Sequence, residues 1–81
     1  MQITAELSLY PLHNEYEQSV WNFIEDLKQN PALEVQTNGM STQVFGEIDE
    51  VIPCVTAAIK KVYESQKAIL LMKIGKGTLK L

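Results

Sequence analysis

The chain is predicted to be an α+β sandwich, two helices laid on one face of a four-stranded antiparallel sheet. Three observations predict it. Apolar residues alternate at period two over residues 2–10, recur at helical spacing over residues 16–27, and the two patterns follow one another in the order strand, helix, strand, strand, helix, strand. Asn38-Gly39 lies between two strand-like segments and marks a hairpin between the second and third strands. Ala68 to Ile74 is a nearly continuous apolar run, which reads as a strand covered on both sides.

Each element has its own signals. In the first strand Ile3, Ala5, Leu7 and Leu9 share one face and Thr4, Glu6, Ser8 and Tyr10 the other, and Pro11 ends it. Asn14 with Glu17 three positions later has the form of a capping box for the first helix. Tyr16, Val20, Phe23, Ile24 and Leu27 make its buried stripe, Glu17, Asn22, Glu25 and Lys28 face water, and Asn30-Pro31 stops it.

The second strand is expected over about Leu33 to Thr37 and the third over about Thr42 to Glu47. With a loop of two or of four residues, pleating puts Thr37 and Thr42 on the face of Val35, Val44 and Gly46. Glu34, Gln36, Gln43 and Phe45 take the other face. Asp49 is the expected cap of the second helix, Glu50 falls in its first turn, and Pro53 is early enough to be tolerated. Its buried face is expected to be Ile52, Val55, Ile59 and Val62, helped by Ala58. The tail from Gly75 to Leu81 is expected to be a frayed end or one more edge segment. Short connections and right-handed crossovers leave the ferredoxin-like arrangement as the leading solution, with spatial strand order 4-1-3-2.

Composition bounds the function. Eighty-one residues are expected to form a single domain, 1–81, with a core thin enough that self-association is expected. No segment approaches the roughly 20 consecutive apolar residues of a membrane span. The start, MQITAELSLYPL, lacks a basic region and reads as a strand, not a secretory leader. One cysteine, Cys54, excludes an internal disulfide and a Cys-x-x-Cys site, which fits the cytoplasm. A net charge of −3 argues against a nucleic-acid surface. All seven basic residues are lysine, and the missing arginine lowers the odds of phosphoryl or acyl-phosphate chemistry.

The topology gathers the polar residues of three segments at one rim. Ser8 and Tyr10, at the end of the first strand, come near Asn38, Ser41 and Thr42 of the hairpin, with Thr37 beside them and His13 and Asn14 close by. Thr37, Asn38, Ser41, Thr42 and Gln43 are more hydrogen-bonding side chains than a hairpin turn needs, and such a segment can read a small polar ligand. The plainer explanation is that Thr favours strands and Ser and Asn favour turns. Tyr10, Phe45 and one side of the last strand are expected to leave apolar area on the uncovered sheet face, which points to a homo-oligomer.

AELSLYPL in the first strand and VQTNGMSTQVFGEIDEV at the centre resemble the small thiamine/hydroxymethylpyrimidine-binding proteins (YkoF-like). The resemblance covers most of the chain and is most specific in its central motif, T-x-G-M-x-T-x-V-x-G-E followed by acidic residues. It implies the βαββαβ unit, tetramers among single-domain members, and a ligand that is thiamine or its pyrimidine moiety. This chain ends sooner after the fourth strand than many relatives do. An aminopyrimidine has a flat face for Tyr10 or Phe45, and an edge of donors and acceptors for Ser8, Thr37, Asn38, Ser41 and Thr42. Glu6 is the preferred carboxylate to balance a thiazolium charge, and Glu47 reads as structural.

Other chemistry is poorly supplied. His13 is the sole histidine and reads as a turn residue, Cys54 as a small core hydrophobe, Trp21 as packing or interface, and Asp49-Glu50 as helix-terminus charge. Gly75-Lys76-Gly77 is too short to cradle a phosphate. No nucleophile with its base and no converging carboxylate pair is apparent, so no enzyme, metal or cofactor is expected. The expected function is non-enzymatic binding of thiamine or its hydroxymethylpyrimidine moiety by a cytoplasmic dimer or tetramer acting as carrier or sensor. The alternative is an oligomeric regulatory or scaffolding module with no small-molecule ligand.

Overall fold

The computed structural model describes residues 1–12 and 16–80, and for Tyr16 the backbone only. His13 and Asn14, and with Asn14 the expected capping box, lie outside the described residues. The elements are β1 (Gln2–Pro11), α1 (Tyr16–Lys28), β2 (Glu34–Thr37), β3 (Thr42–Glu47), α2 (Ile48–Ser65) and β4 (Ala68–Lys76). All strand pairs are antiparallel and the sheet order is β2-β3-β1-β4, the ferredoxin-like arrangement expected from the pattern.

The alternation in β1 does what its period requires. Ile3, Ala5 and Leu7 are buried beneath the helices with Leu9 packed against them, while Glu6, Ser8 and Tyr10 face the open side. From α1 come Phe23, Ile24 and Leu27, with Val20 half-buried, and Glu17, Asn22, Glu25 and Lys28 are exposed. The helix stops where Asn30 turns the chain, its Oδ1 accepting the Ala32 N–H at 2.9 Å. Each such core side chain contributes about 1.5–3 kcal/mol by leaving water.

Two expectations for α2 change. Asp49 does not cap it: the helix begins at Ile48, directly off β3, and Glu47 in the capping position makes no side-chain cap bond. The Met1 carbonyl accepts the Ile48 N–H instead, at 2.9 Å, and Glu47 pairs with the Met1 ammonium. Asp49 and Glu50 in the first turn still oppose the positive end of the helix dipole. The innermost residues are Val51, Val55, Ala58 and Val62, with Ile52 and Ile59 only half-buried. The strand-to-helix junction has no loop in which the helix can rotate, and that fixes Val51 inward. Gly46 lies under this junction, and a Cβ there would come within 2.8 Å of Leu33 Cδ2.

Further corrections concern the chain's last quarter. β4 is not covered on both sides. It is an edge strand, and Ile69, Leu71, Met72 and Ile74 are exposed. Nor is the tail frayed or another edge. At Gly77, with φ of +86°, the chain leaves the edge and residues 77–80 cross the open face as a strap. Thr4 Oγ1 donates to the Gly77 carbonyl and accepts the Leu79 N–H, both at 2.8 Å. Lys80 Nζ lies 2.6 Å from both carboxylate oxygens of Glu34 and 4.9 Å from the centre of the Phe45 ring. Phe45, expected to stand exposed on this face, is 6% exposed. Tyr10 remains open.

Candidate functional site

The rim recess exists because β1 is longer than its partner β3. The β1–β3 ladder ends at Leu7 opposite Thr42, whereas β1 continues to Pro11 paired only with β4. The overhang, α1 above it and the β2–β3 loop beside it enclose a recess of about 340 Å³. That is near the lower end of the ~300–1,000 Å³ typical of small-molecule sites. Leu7, Leu9, Val20, Phe23 and Ile24 supply apolar lining, and Thr37, Asn38, Ser41 and Thr42 supply polar groups.

The hairpin loop has four residues, 38–41, between the paired Thr37 and Thr42. It is held by a side chain, not by a left-handed glycine. Asn38 Oδ1 accepts the N–H groups of Met40 (2.8 Å) and Ser41 (3.0 Å), and the Asn38 N–H donates to the Ser41 carbonyl. Thr37 Oγ1 and Thr42 Oγ1 are 3.2 Å apart, and either can donate to the other. A hydroxyl pair of this kind can present a donor or an acceptor to a third group.

Of the eight residues singled out in the sequence, Ser8, Tyr10, Thr37, Asn38, Ser41 and Thr42 line this recess. Glu6 and Phe45 do not. Both face the open side of the sheet, in a second, shallower depression that Asn38 also borders. Thr42 and Glu6 point to opposite faces, whereas Ser8 and Tyr10, on the face of Glu6, border the recess because β1 has no β3 partner beyond Leu7. Phe45 is covered by Lys80, which leaves Tyr10 as the accessible aromatic of the two.

Glu6 is nonetheless tied to the rim. Its Oε2 accepts from Ser41 Oγ at 2.8 Å and from Gln43 Nε2 at 3.4 Å, and Lys73 Nζ is 3.6 Å from Oε1. Gln43 Nε2 also donates to Ser41 Oγ at 2.8 Å. The hydrogen bond from Ser41, then that from Gln43, hold the Glu6 carboxyl below its ordinary range against a smaller opposing effect of burial, with Lys73 adding to the lowering. Ser41 therefore joins the carboxylate on one face to the recess on the other. The sequence reasoning missed the apolar lining, because Leu7, Phe23 and Ile24 carry only the signal of ordinary core residues. Met40 lies at the recess mouth and is 86% exposed.

Among the described residues no group of three side chains could hold a metal ion, and no helix is long and apolar enough to cross a membrane. Burial pushes the Cys54 thiol above its ordinary value, the opposite of an activated nucleophile.

Fold and recess together describe a small ferredoxin-like domain of the kind that binds a small molecule. A model of the thiamine-binding protein family matches residues 5–79, and the chain belongs to that family. Membership supports small-molecule binding as the general function and is consistent with a non-enzymatic role. Among solved structures, a hypothetical protein of Methanocaldococcus jannaschii is 28% identical with a TM-score of 0.83, covering 99% of this chain and 84% of that one. A Streptococcus pneumoniae protein shares the fold at 18% identity and TM-score 0.87, covering 98% and 90% of the two chains. A Thermotoga maritima protein described as a candidate for thiamine biosynthesis or salvage does so at 15% and 0.83, covering 95% and 85%. No curated protein matches the sequence significantly.

Proposed function

We propose that the chain binds thiamine or its hydroxymethylpyrimidine moiety in the rim recess, without catalysis, as a cytoplasmic homo-oligomeric carrier or sensor. The observation that carries this is the recess itself, where an apolar bed meets a lip of hydroxyl and amide groups. An aminopyrimidine ring has the complementary character, a flat apolar face and an edge of alternating donors and acceptors. Thr37 and Thr42 hydrogen-bond that edge, and Tyr10 packs on the ring face. Asn38 contributes its amide nitrogen, which has no partner among the described residues. Ser8 lies at the overhang. Glu6 acts through Ser41, lending negative charge near the lip, and Phe45 belongs to the strapped face.

Calorimetric titration with hydroxymethylpyrimidine and with thiamine tests this. Saturable heat with either compound is expected, and stronger binding of thiamine than of the bare pyrimidine would place the thiazolium in contact as well. Absence of heat with both, at protein concentrations approaching millimolar, removes the proposal. It would leave the regulatory or scaffolding module, which the exposed Tyr10, Ile69 and Leu71 favour.

A further inference from the structure

Two side chains at the lip of the recess are each fixed in one hydrogen-bonding sense. Asn38 Oδ1 accepts the backbone N–H groups of Met40 and Ser41, and a backbone N–H only donates. That settles which way the Asn38 amide lies. Its oxygen has both lone pairs in use, and its Nδ2 has no partner among the described residues, so Asn38 offers only donors. Ser41 is fixed in the opposite sense. A hydroxyl has one hydrogen and two lone pairs. Here the hydrogen goes to Glu6 Oε2 at 2.8 Å, and one lone pair accepts from Gln43 Nε2, also at 2.8 Å. Glu6 does not reverse the first bond, because its carboxyl is held below the ordinary range and is ionised at neutral pH, with no hydrogen to give. Nor does Gln43 reverse the second. Its Nε2 also lies 3.4 Å from the same Glu6 oxygen, and turning the amide over would set two oxygens together. What remains at Ser41 is one lone pair.

Asn38 and Ser41 both border the recess and are neighbours across the hairpin loop, the Asn38 N–H donating to the Ser41 carbonyl at 3.1 Å. We propose that this pair, donor at Asn38 and acceptor at Ser41, makes the recess select a pyrimidine carrying an exocyclic amino group over one carrying an oxo group in its place. The selectivity rests on the binding proposed above and names its deciding contacts. In an aminopyrimidine the ring nitrogen accepts and the adjacent amino group donates. The nitrogen takes a hydrogen from Asn38, and the amino group gives one to Ser41. In the oxo compound the two senses exchange, since the ring nitrogen carries hydrogen and the oxygen accepts. The same pose then sets hydrogen against hydrogen at Asn38 and lone pair against lone pair at Ser41. Turning the ring over restores the match only by exchanging the places of its methyl and hydroxymethyl substituents.

Thr37 and Thr42 add no selectivity of this kind, because either hydroxyl donates to the other and the pair adapts to both ligands. Glu6 and Gln43 border the open-face depression and not the recess. They are positioning residues, acting through the hydroxyl they hold. Their effect is therefore read in the ratio of two affinities, which a merely structural role leaves alone.

Calorimetric titration with hydroxymethylpyrimidine and with its deaminated oxo counterpart tests this, in a mildly alkaline buffer that keeps the aminopyrimidine uncharged. The wild type is expected to bind the amino compound at least about tenfold more tightly than the oxo compound. Ser41→Ala is expected to weaken binding of the amino compound by about tenfold and bring the ratio close to one, because the oxo compound has no bond there to lose. The double variant Glu6→Leu with Gln43→Leu keeps Ser41 and frees its hydroxyl to turn. In it the oxo compound is expected to gain on the amino compound by about threefold or more. Circular dichroism shows whether the variants remain folded, and the wild-type ratio needs no variant. A wild type that binds both compounds equally, or folded variants that leave the ratio unmoved, overturns the selectivity and leaves binding in the recess standing. A wild type that binds neither compound overturns both.

Discussion

Thr42 is the residue at which core and recess meet. It is buried, it faces the helices between Leu7 and Val44, and its hydroxyl has Thr37 as partner. Thr42→Val keeps the shape and removes the hydroxyl, so folding stability should fall by only about 1 kcal/mol. Binding of hydroxymethylpyrimidine should weaken by about tenfold, while the sedimentation coefficient stays the same. Unchanged affinity in that variant would take Thr42 out of the site. Gly46 makes the contrasting case, a position with a structural duty alone. A methyl group there meets Leu33 at 2.8 Å under the start of α2. Gly46→Ala should lower stability by only about 1 kcal/mol, read by urea denaturation, because the end of the Leu33 side chain must turn aside. A glycine inside a strand usually marks a close approach, and Gly46 has one, to Leu33. Legible in the sequence was which face each β-residue takes. That Glu6 and Thr42, both drawn to the site by their chemistry, look out of opposite sides of the sheet follows from parity once the register sets Leu7 opposite Thr42.

At the scale of elements, periodic segments could be read from the sequence and aperiodic ones could not. The stripe of α1 was plain, since Phe23, Ile24 and Leu27 repeat at the helical period. In α2 the apolar arc is wide enough to admit either Val51 or Ile52 as its innermost member. The rotation that chooses Val51 is imposed by the loopless junction with β3, a fact of tertiary structure. The strap had no signal, because four residues without period carry no pattern. Its chemistry is nevertheless testable. Bonding to Lys80, more than any other contact, holds the Glu34 carboxyl below its ordinary value of 4.5. A carboxyl lowered on docking favours the docked strap at pH values above its undocked value, and that preference is lost as pH falls through the docked one. Hydrogen exchange at the Leu79 amide, which Thr4 Oγ1 accepts, should therefore be protected at neutral pH and lose protection under acid. Glu34→Gln should show weaker protection at pH 7. Equal protection in the two proteins would mean the ion pair does not hold the strap.

For the whole molecule, the order and pairing of strands followed from a few short-range signals joined to general rules of connection. Nothing in that chain of inference depended on a ligand. The core is small and shared by every element, with Phe23, Leu27, Val44, Val51 and Ile3 packed into one cluster. Leu27→Ala, at a position with no exposure, should cost about 2–5 kcal/mol and depress the melting temperature by roughly 10–30 °C for a domain of this size. A loss below 1 kcal/mol in calorimetry would show that the two layers are less tightly joined than the packing implies. The exposure of β4 was the whole-molecule property the sequence misjudged. A continuous apolar run records that a strand is to be covered, and says nothing of whether its own chain does the covering.

The loop at the recess mouth is fastened by the side chain of Asn38, and Gly39 adopts no left-handed backbone and has open space around its α-carbon. Position 39 is thus exempt from the restriction that an Asn-Gly turn normally imposes, and its neighbour Met40 projects into solvent. The two together form a pair of positions at which chemical variety can be sampled without disturbing the scaffold. A library randomised there, with Asn38 kept, should yield folded members in most cases and differ among them chiefly in what the entrance admits.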